Sequence, residues 1–325
     1  MLLDLGTVAL GLAILALAGD WLVKGAAALA LRLGIPPLVV GLTVMAFGTS
    51  APELLVAIEA VLGGLPGIAL GNVVGSNIAN ILLVLGIPAL IVRLRSGRLD
   101  VAQSYVMMLA ATAGFIGLAF LGPFRAWSGT LLLAGLAATL WHSYGTAQAH
   151  RSRSAATGAP EGDGAAAGDP VAALDGRRSG WRIAGLLAIG LVGLPLGARL
   201  LVDGASAIAR EAGISEAVIG LTLVALGTSL PELATTVMAA LRGSADVALG
   251  NVIGSNLFNL LGIVGISTLI APIPVEPDFL SFDLWVMLAA SLAVAPFVLR
   301  QRDIGRRAGA LLIGGYAAYV VTLLA

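Results

Sequence analysis

Gly48-Thr49-Ser50-Ala51-Pro52-Glu53 stands in the middle of an apolar stretch, residues 38–62, long enough to cross a bilayer. A carboxylate there must leave water, and a proline removes one helical hydrogen bond, so both are costly unless they have a task. The chain then writes the stretch again, 179 residues on, as Gly227-Thr228-Ser229-Leu230-Pro231-Glu232. The correspondence continues without a gap through Gly-Asn-Val-x-Gly-Ser-Asn-x-x-Asn at 71–80 and 250–259. The two motifs, 41–86 and 220–265, read as two halves of one ion site.

Working outward, 58% hydrophobic and 11% charged residues, with a mean hydropathy of +1.00, leave too little polar surface for a 325-residue soluble globule. An all-α membrane protein embedded in the lipid bilayer is expected. A net charge of zero offers no basic face for nucleic acid. With no cysteine, disulfides, thiolate metal sites and cysteine nucleophiles are excluded. The first apolar run begins at Leu2 without a basic leader or clear cleavage motif, so it is expected to be a retained helix.

A bilayer core needs about 20 apolar residues per helix. Windows of that length fall at 2–21, 38–62, 68–92, 101–121 and 127–144, and again at 182–202, 217–241, 247–270, 282–299 and 308–324. The first and sixth have room to run on through 24–33 and 203–212. The expectation is ten transmembrane helices: an N-terminal five-helix repeat (1–145), a flexible linker (146–180) and a C-terminal five-helix repeat (181–325). The linker's Glu161, Asp163 and Asp169 lack calcium-loop spacing. Asp20 and Arg199 read as helix-end charges, and Glu59 as an interfacial one.

With the N-terminus outside, fifteen of the 18 positive residues fall in inner loops and only Arg125, Arg199 and Arg210 outside. Both termini are then external and the linker cytoplasmic, in a plasma (inner) membrane. An odd number of helices per repeat inverts the second copy, and the charges agree: Lys24 becomes Asp203, Arg32 becomes Glu211, and Gly63 becomes Arg242. Inverted-topology repeats of this kind belong to secondary transporters.

On a helix, Thr49 and Ser50 lie four and three residues from Glu53 and share its face, as Thr228 and Ser229 do with Glu232. Pro52 and Pro231 should free backbone oxygens near Ala46–Gly48 and Ala225–Gly227, with Gly48 letting an ion approach closely. Ser76 with Asn80, and Ser255 with Asn259, add hydroxyl and amide oxygens four residues apart. An all-oxygen set selects hard cations such as Ca²⁺ and Na⁺. Two facing glutamates resist ionising together; one Ca²⁺, two Na⁺ or two H⁺ resolve this, and ions that compete for one pocket make an antiporter. Gly71, Gly75, Gly250 and Gly254 are expected to permit close packing, and Asn77 and Asn256 to bond between helices.

On both motifs the sequence resembles the cation/Ca²⁺ exchanger superfamily, in its prokaryotic sodium/calcium exchanger branch. The resemblance implies cation sites between the second, third, seventh and eighth helices, with Glu53 and Glu232 central. It implies that Thr49, Ser50, Thr228, Ser229, Ser76 and Ser255, with the carbonyls of Ala46 and Ala225, serve flanking sodium sites. Asn80 and Asn259 would close the middle, and the first and sixth helices would slide to switch access. Some members carry aspartate where this chain has Asn80 or Asn259, so two negative charges rather than three are expected here. The hydroxyls of Gly-Thr-Ser-x-Pro-Glu are ligands that Na⁺ needs and H⁺ does not, so exchange of Ca²⁺ for Na⁺ is expected, with Ca²⁺/H⁺ exchange the alternative. A channel and an intramembrane hydrolase are the rival classes. Inverted halves argue against a continuous pore, and His142 and His150, near the cytoplasmic edge, leave a hydrolase without a base beside a nucleophile.

Overall fold

The computed structural model describes residues 2–94, 99–157, 179–212 and 225–324. Arg95, Arg98, the linker acids, Arg177, Arg178 and the expected start of the seventh helix at 217 lie outside the described residues. Described residues form helices and connecting turns without a strand. In order they are α1 (Leu2–Leu33), α2 (Pro37–Thr49), α3 (Ala51–Leu62), α4 (Pro66–Ile91), α5 (Leu99–Phe120) and α6 (Ala126–Thr157). After the linker come α7 (Gly180–Glu211), α8 (Ala225–Thr228), α9 (Leu230–Leu241), α10 (Ala245–Ile270), α11 (Phe279–Val298) and α12 (Arg306–Leu324). Six of these, α1, α4, α5, α7, α10 and α11, are long and apolar enough to cross a membrane, and the bent pair α2–α3 makes a seventh.

Two helices occupy the centre. In α10, 83% of the most apolar window is buried against protein and in α4 72%, whereas in α1 and α7 it is 22%. The central pair carries the second part of each repeated motif. The outer pair, α1 and α7, lies antiparallel along its length, backbone against backbone: a Cβ on Gly11 would fall 2.6 Å from Leu201 N, and one on Gly197 2.9 Å from Leu15 N. Small residues allow that approach, which supplies the dispersion that lipid cannot.

Several expectations are revised. Both outer helices do run on, as single 32-residue rods, so Asp20 and Arg199 are helix-interior residues and not helix-end charges. Asp20 is held by Lys24 one turn later, at 2.7 Å, and by Arg242, the residue that caps α9. No local pattern reveals that second partner. α6 continues through Thr157, twelve residues into the expected linker. Four helices also contain π turns, at Gly41–Met45, Asn80–Val84, Phe258–Ile263 and Phe279–Asp283. Each adds a residue to a turn and rotates the side chains beyond it, a device frequent at functional sites.

Two backbone clasps tie the halves together. Leu94 and Ile304 exchange N–H···O bonds of 3.0 and 2.9 Å, and Phe124 and Ile273 exchange two of 2.9 Å. Leu94 and Ile273 are equivalent in the repeat, and Phe124 and Ile304 nearly so. Each clasp therefore joins one half to the other in a matching way, and all four residues are buried.

Candidate cation site

The first motif makes an elbow. Pro52, second in α3, has no N–H for the carbonyl of Gly48, so α2 stops and α3 leaves at 43°. Ser50 is the pivot, at φ −87° and ψ 8°. Ser229, between α8 and α9, has φ −86° and ψ 1°. Glu53 and Glu232 follow in the first turns of α3 and α9, where the helix dipole favours negative charge. Both are fully buried.

The elbows meet because α10 comes against α2 at two glycines. A Cβ on Gly250 would sit 2.7 Å from Leu38 O, and one on Gly254 2.6 Å from Leu42 O. That approach brings Thr49 Oγ1 to 3.5 Å from Ser255 Oγ. Ser50 Oγ donates to Glu232 Oε1 at 2.8 Å, and Ser255 Oγ to the same oxygen at 3.4 Å. Thr49 Oγ1 also lies 3.4 Å from Ala46 O. One flank thus gathers Ala46, Thr49 and Ser50 from the first motif around Glu232 and Ser255 from the second.

The other flank is less closed. Glu53 faces Glu232 and Thr228. Among the described residues, the Glu53 carboxylate oxygens, Glu232 Oε2, Ser229 Oγ, Asn80 Oδ1 and both amide atoms of Asn259 are buried with no hydrogen-bond partner closing on them. Asn80 Nδ2 donates to Asn256 Oδ1 at 3.1 Å, and Ser76, one turn before Asn80, is buried. Ala225 opens α8. A buried carboxylate oxygen without a donor costs several kcal/mol unless positive charge compensates it. So many orphaned oxygens around two carboxylates suit a dehydrated cation.

Some details of the motif differ from expectation. The Ala46 carbonyl is not released by the proline: it accepts Ser50 N–H at 3.0 Å, whereas in the second copy Ser229 N–H goes to Leu226 O at 3.1 Å. The space beside Gly48 is taken by the Leu191 side chain of α7, so its missing side chain accommodates a helix. Gly250 and Gly254 do permit close packing, whereas residues 217 and 221, the counterparts of the Leu38 and Leu42 that meet them, lie outside the described residues, so the same expectation for Gly71 and Gly75 falls there too. Asn256 bonds between helices, to Asn80 and to Met108 Sδ, while Asn77 Nδ2 turns back to Val73 O at 2.7 Å on its own helix. Unforeseen was a polar trio beneath the Glu232 flank: Asn251, Thr235 and Thr236, all fully buried. Their counterparts Asn72, Val56 and Ala57 include two apolar residues. That mismatch was the available signal.

Comparison with known proteins shows the family of the chain. The family model described as sodium/calcium exchanger protein matches residues 3–145 and 182–325. The putative antiporter CaxA of Alkalimonas amylolytica is 36% identical, over 96% of each chain. The sodium/calcium exchanger MaX1 of Methanosarcina acetivorans is 34% identical, over 97% of this chain and 96% of its own. Among solved structures, the sodium-calcium exchanger NCX_Mj, soaked with 2.5 mM Na⁺ and 0.1 mM Ca²⁺, superposes with a TM-score of 0.81 at 33% identity, over 99% of both chains. These relatives are transporters rather than enzymes, their likeness spans the whole bundle, and the chain belongs to the sodium/calcium exchanger family.

Proposed function

We propose that this protein is a secondary antiporter exchanging Ca²⁺ for Na⁺ by alternating access at a mid-membrane site built on Glu53 and Glu232. One observation carries the reading: two fully buried carboxylates, one from each motif, face each other among hydroxyl and amide oxygens, several of them unpartnered. Ca²⁺ neutralises both carboxylates at once. Two Na⁺ do the same from the flanks, where Ala46, Thr49, Ser50 and Ser255 surround Glu232 and Ala225, Thr228, Ser229 and Ser76 would surround Glu53. Asn80 and Asn259 bound the middle. Hydroxyl ligands are what Na⁺ needs and H⁺ does not, and this favours sodium as counter-ion.

The ten-helix, two-repeat architecture is part of the proposal. It is supported by the paired clasps: with both termini outside and the linker cytoplasmic, Leu94 and Ile304 belong to inner loops, and Phe124 and Ile273 to outer ones. The α1–α9 ion pair obeys the same topology, since Lys24 and Arg242 both fall at the inner side. A plasma-membrane location follows from the same charge asymmetry.

Calcium uptake into inside-out vesicles, with sodium and pH gradients imposed separately, tests the function. Uphill calcium movement driven by sodium is expected. Uptake driven by the pH gradient alone would make it a Ca²⁺/H⁺ antiporter, and purely downhill flux a channel.

A further inference from the structure

We infer that Asn251 is a positioning residue for the Glu232 flank, holding the Thr49 hydroxyl so that its proton points away from the cation position. The inference rests on the ion-site reading above and concerns a residue outside its ligand set. Asn251 lies on α10, one turn before Ser255. Its Nδ2 donates to Thr235 Oγ1 at 3.0 Å and to Thr236 Oγ1 at 3.2 Å. The single proton of Thr235 Oγ1 is shared between the carbonyls of Pro231 (2.9 Å) and Glu232 (3.0 Å), so its lone pairs are free to accept. Both amide hydrogens of Asn251 are thereby engaged on one side. Flipping the amide would set an N–H against the Thr49 hydroxyl and bring Oδ1 to two threonine oxygens, one already committed as a donor elsewhere. Oδ1 therefore faces Thr49, whose Oγ1 donates to it at 3.4 Å.

The direction of that last bond matters because a hydroxyl has one proton. Thr49 has competing acceptors: Ala46 O, also at 3.4 Å, Ser255 Oγ at 3.5 Å and the Glu232 carboxylate. If the proton goes to Ala46, it covers the carbonyl and sets a positive hydrogen among the oxygens that would hold a cation. If it goes to Asn251, both Thr49 Oγ1 and Ala46 O keep lone pairs to present. The chain from Pro231 and Glu232 through Thr235 to Asn251 and Thr49 fixes the second choice, within a fully buried environment where such networks are strong.

The first motif has no such device. Asn72, the counterpart of Asn251, donates instead to the backbone carbonyl of Glu53 at 3.3 Å, and Val56 and Ala57 stand where Thr235 and Thr236 would be. The two flanks are thus built differently beneath similar ligands. The Glu232 flank has a hydroxyl preset through Asn251, and its sodium affinity depends on residues the ion never touches.

The test is purified protein in proteoliposomes, reading half-saturating Na⁺ and Ca²⁺ for exchange separately. Asn251→Ala, and the near-isosteric Thr235→Val/Thr236→Val pair that releases the amide, should each raise half-saturating Na⁺ about tenfold, the worth of one buried hydrogen bond. Half-saturating Ca²⁺ should move less than twofold. Asn72→Ala should leave the Na⁺ value within about twofold, and Thr236→Ser should restore what Thr236→Val loses. Unchanged Na⁺ dependence in both altered proteins, or equal shifts for Na⁺ and Ca²⁺, overturns the role given to Asn251. A wild-type protein without sodium-dependent flux overturns the exchange reading instead.

Discussion

Gly254→Ala adds one methyl group where α10 crosses α2, and the structure gives its consequence. The new carbon would lie 2.6 Å from Leu42 O, 2.7 Å from Ala46 Cβ and 2.8 Å from Leu42 Cα. None of these is the end of a flexible side chain, so the helices must part. Opening 2.6 Å to an ordinary contact of about 3.5 Å moves α2 back by roughly 1 Å. Thr49, at 3.5 Å from Ser255 and 3.4 Å from Asn251, then loses both contacts. Overpacking of this kind costs about 1–3 kcal/mol, which a folded bundle survives. A displacement of that size at a binding site should lower calcium uptake by about tenfold or more. Gly114→Ala, on α5, is the control: among the described residues a methyl there meets nothing within 4 Å. It should transport as wild type and gain up to about 1 kcal/mol of helix stability. Uptake and thermal unfolding of the two proteins, measured side by side, decide the matter. Equal uptake by both would refute the claim that this crossing sets the site.

Calcium at a hundred times its dissociation constant should stabilise the protein by about 2.7 kcal/mol, seen as a raised melting temperature in detergent; Glu53→Gln and Glu232→Gln should each abolish the shift and the uptake. Asp20→Asn leaves Lys24 and Arg242 facing each other at the α1–α9 contact and should cost about 1–3 kcal/mol, part of which Asp20→Asn/Arg242→Gln recovers in the same melting assay. Because the chain has no cysteine, single thiols report sidedness cleanly. Arg125→Cys should react with an impermeant maleimide on intact cells and Arg300→Cys only after permeabilisation; the reverse order would invert the topology.

The parts of the protein that were readable in advance are those that the chain states twice. Both proline elbows, the buried glutamates and the serine–asparagine pairs were visible because a gap-free repeat separates chemically demanding residues from apolar filler. Surroundings that differ between the copies were not visible. Asp20 suggested a helix end because a buried aspartate is costly, and its second cation, Arg242, lies 222 residues away. Asn251 escaped notice because reading by symmetry discounts positions where symmetry fails. The π turns carry no compositional mark, since they depend on how a helix packs and not on which residues it contains.

Ser50 lies at the break between α2 and α3 and also holds Glu232. Fastener and pivot are therefore the same residue. In the exchange proposed above, anything that draws its hydroxyl off the carboxylate would act on the joint as well, so seizing a cargo and reorienting the segment beyond it would be a single mechanical act, with no relay between them.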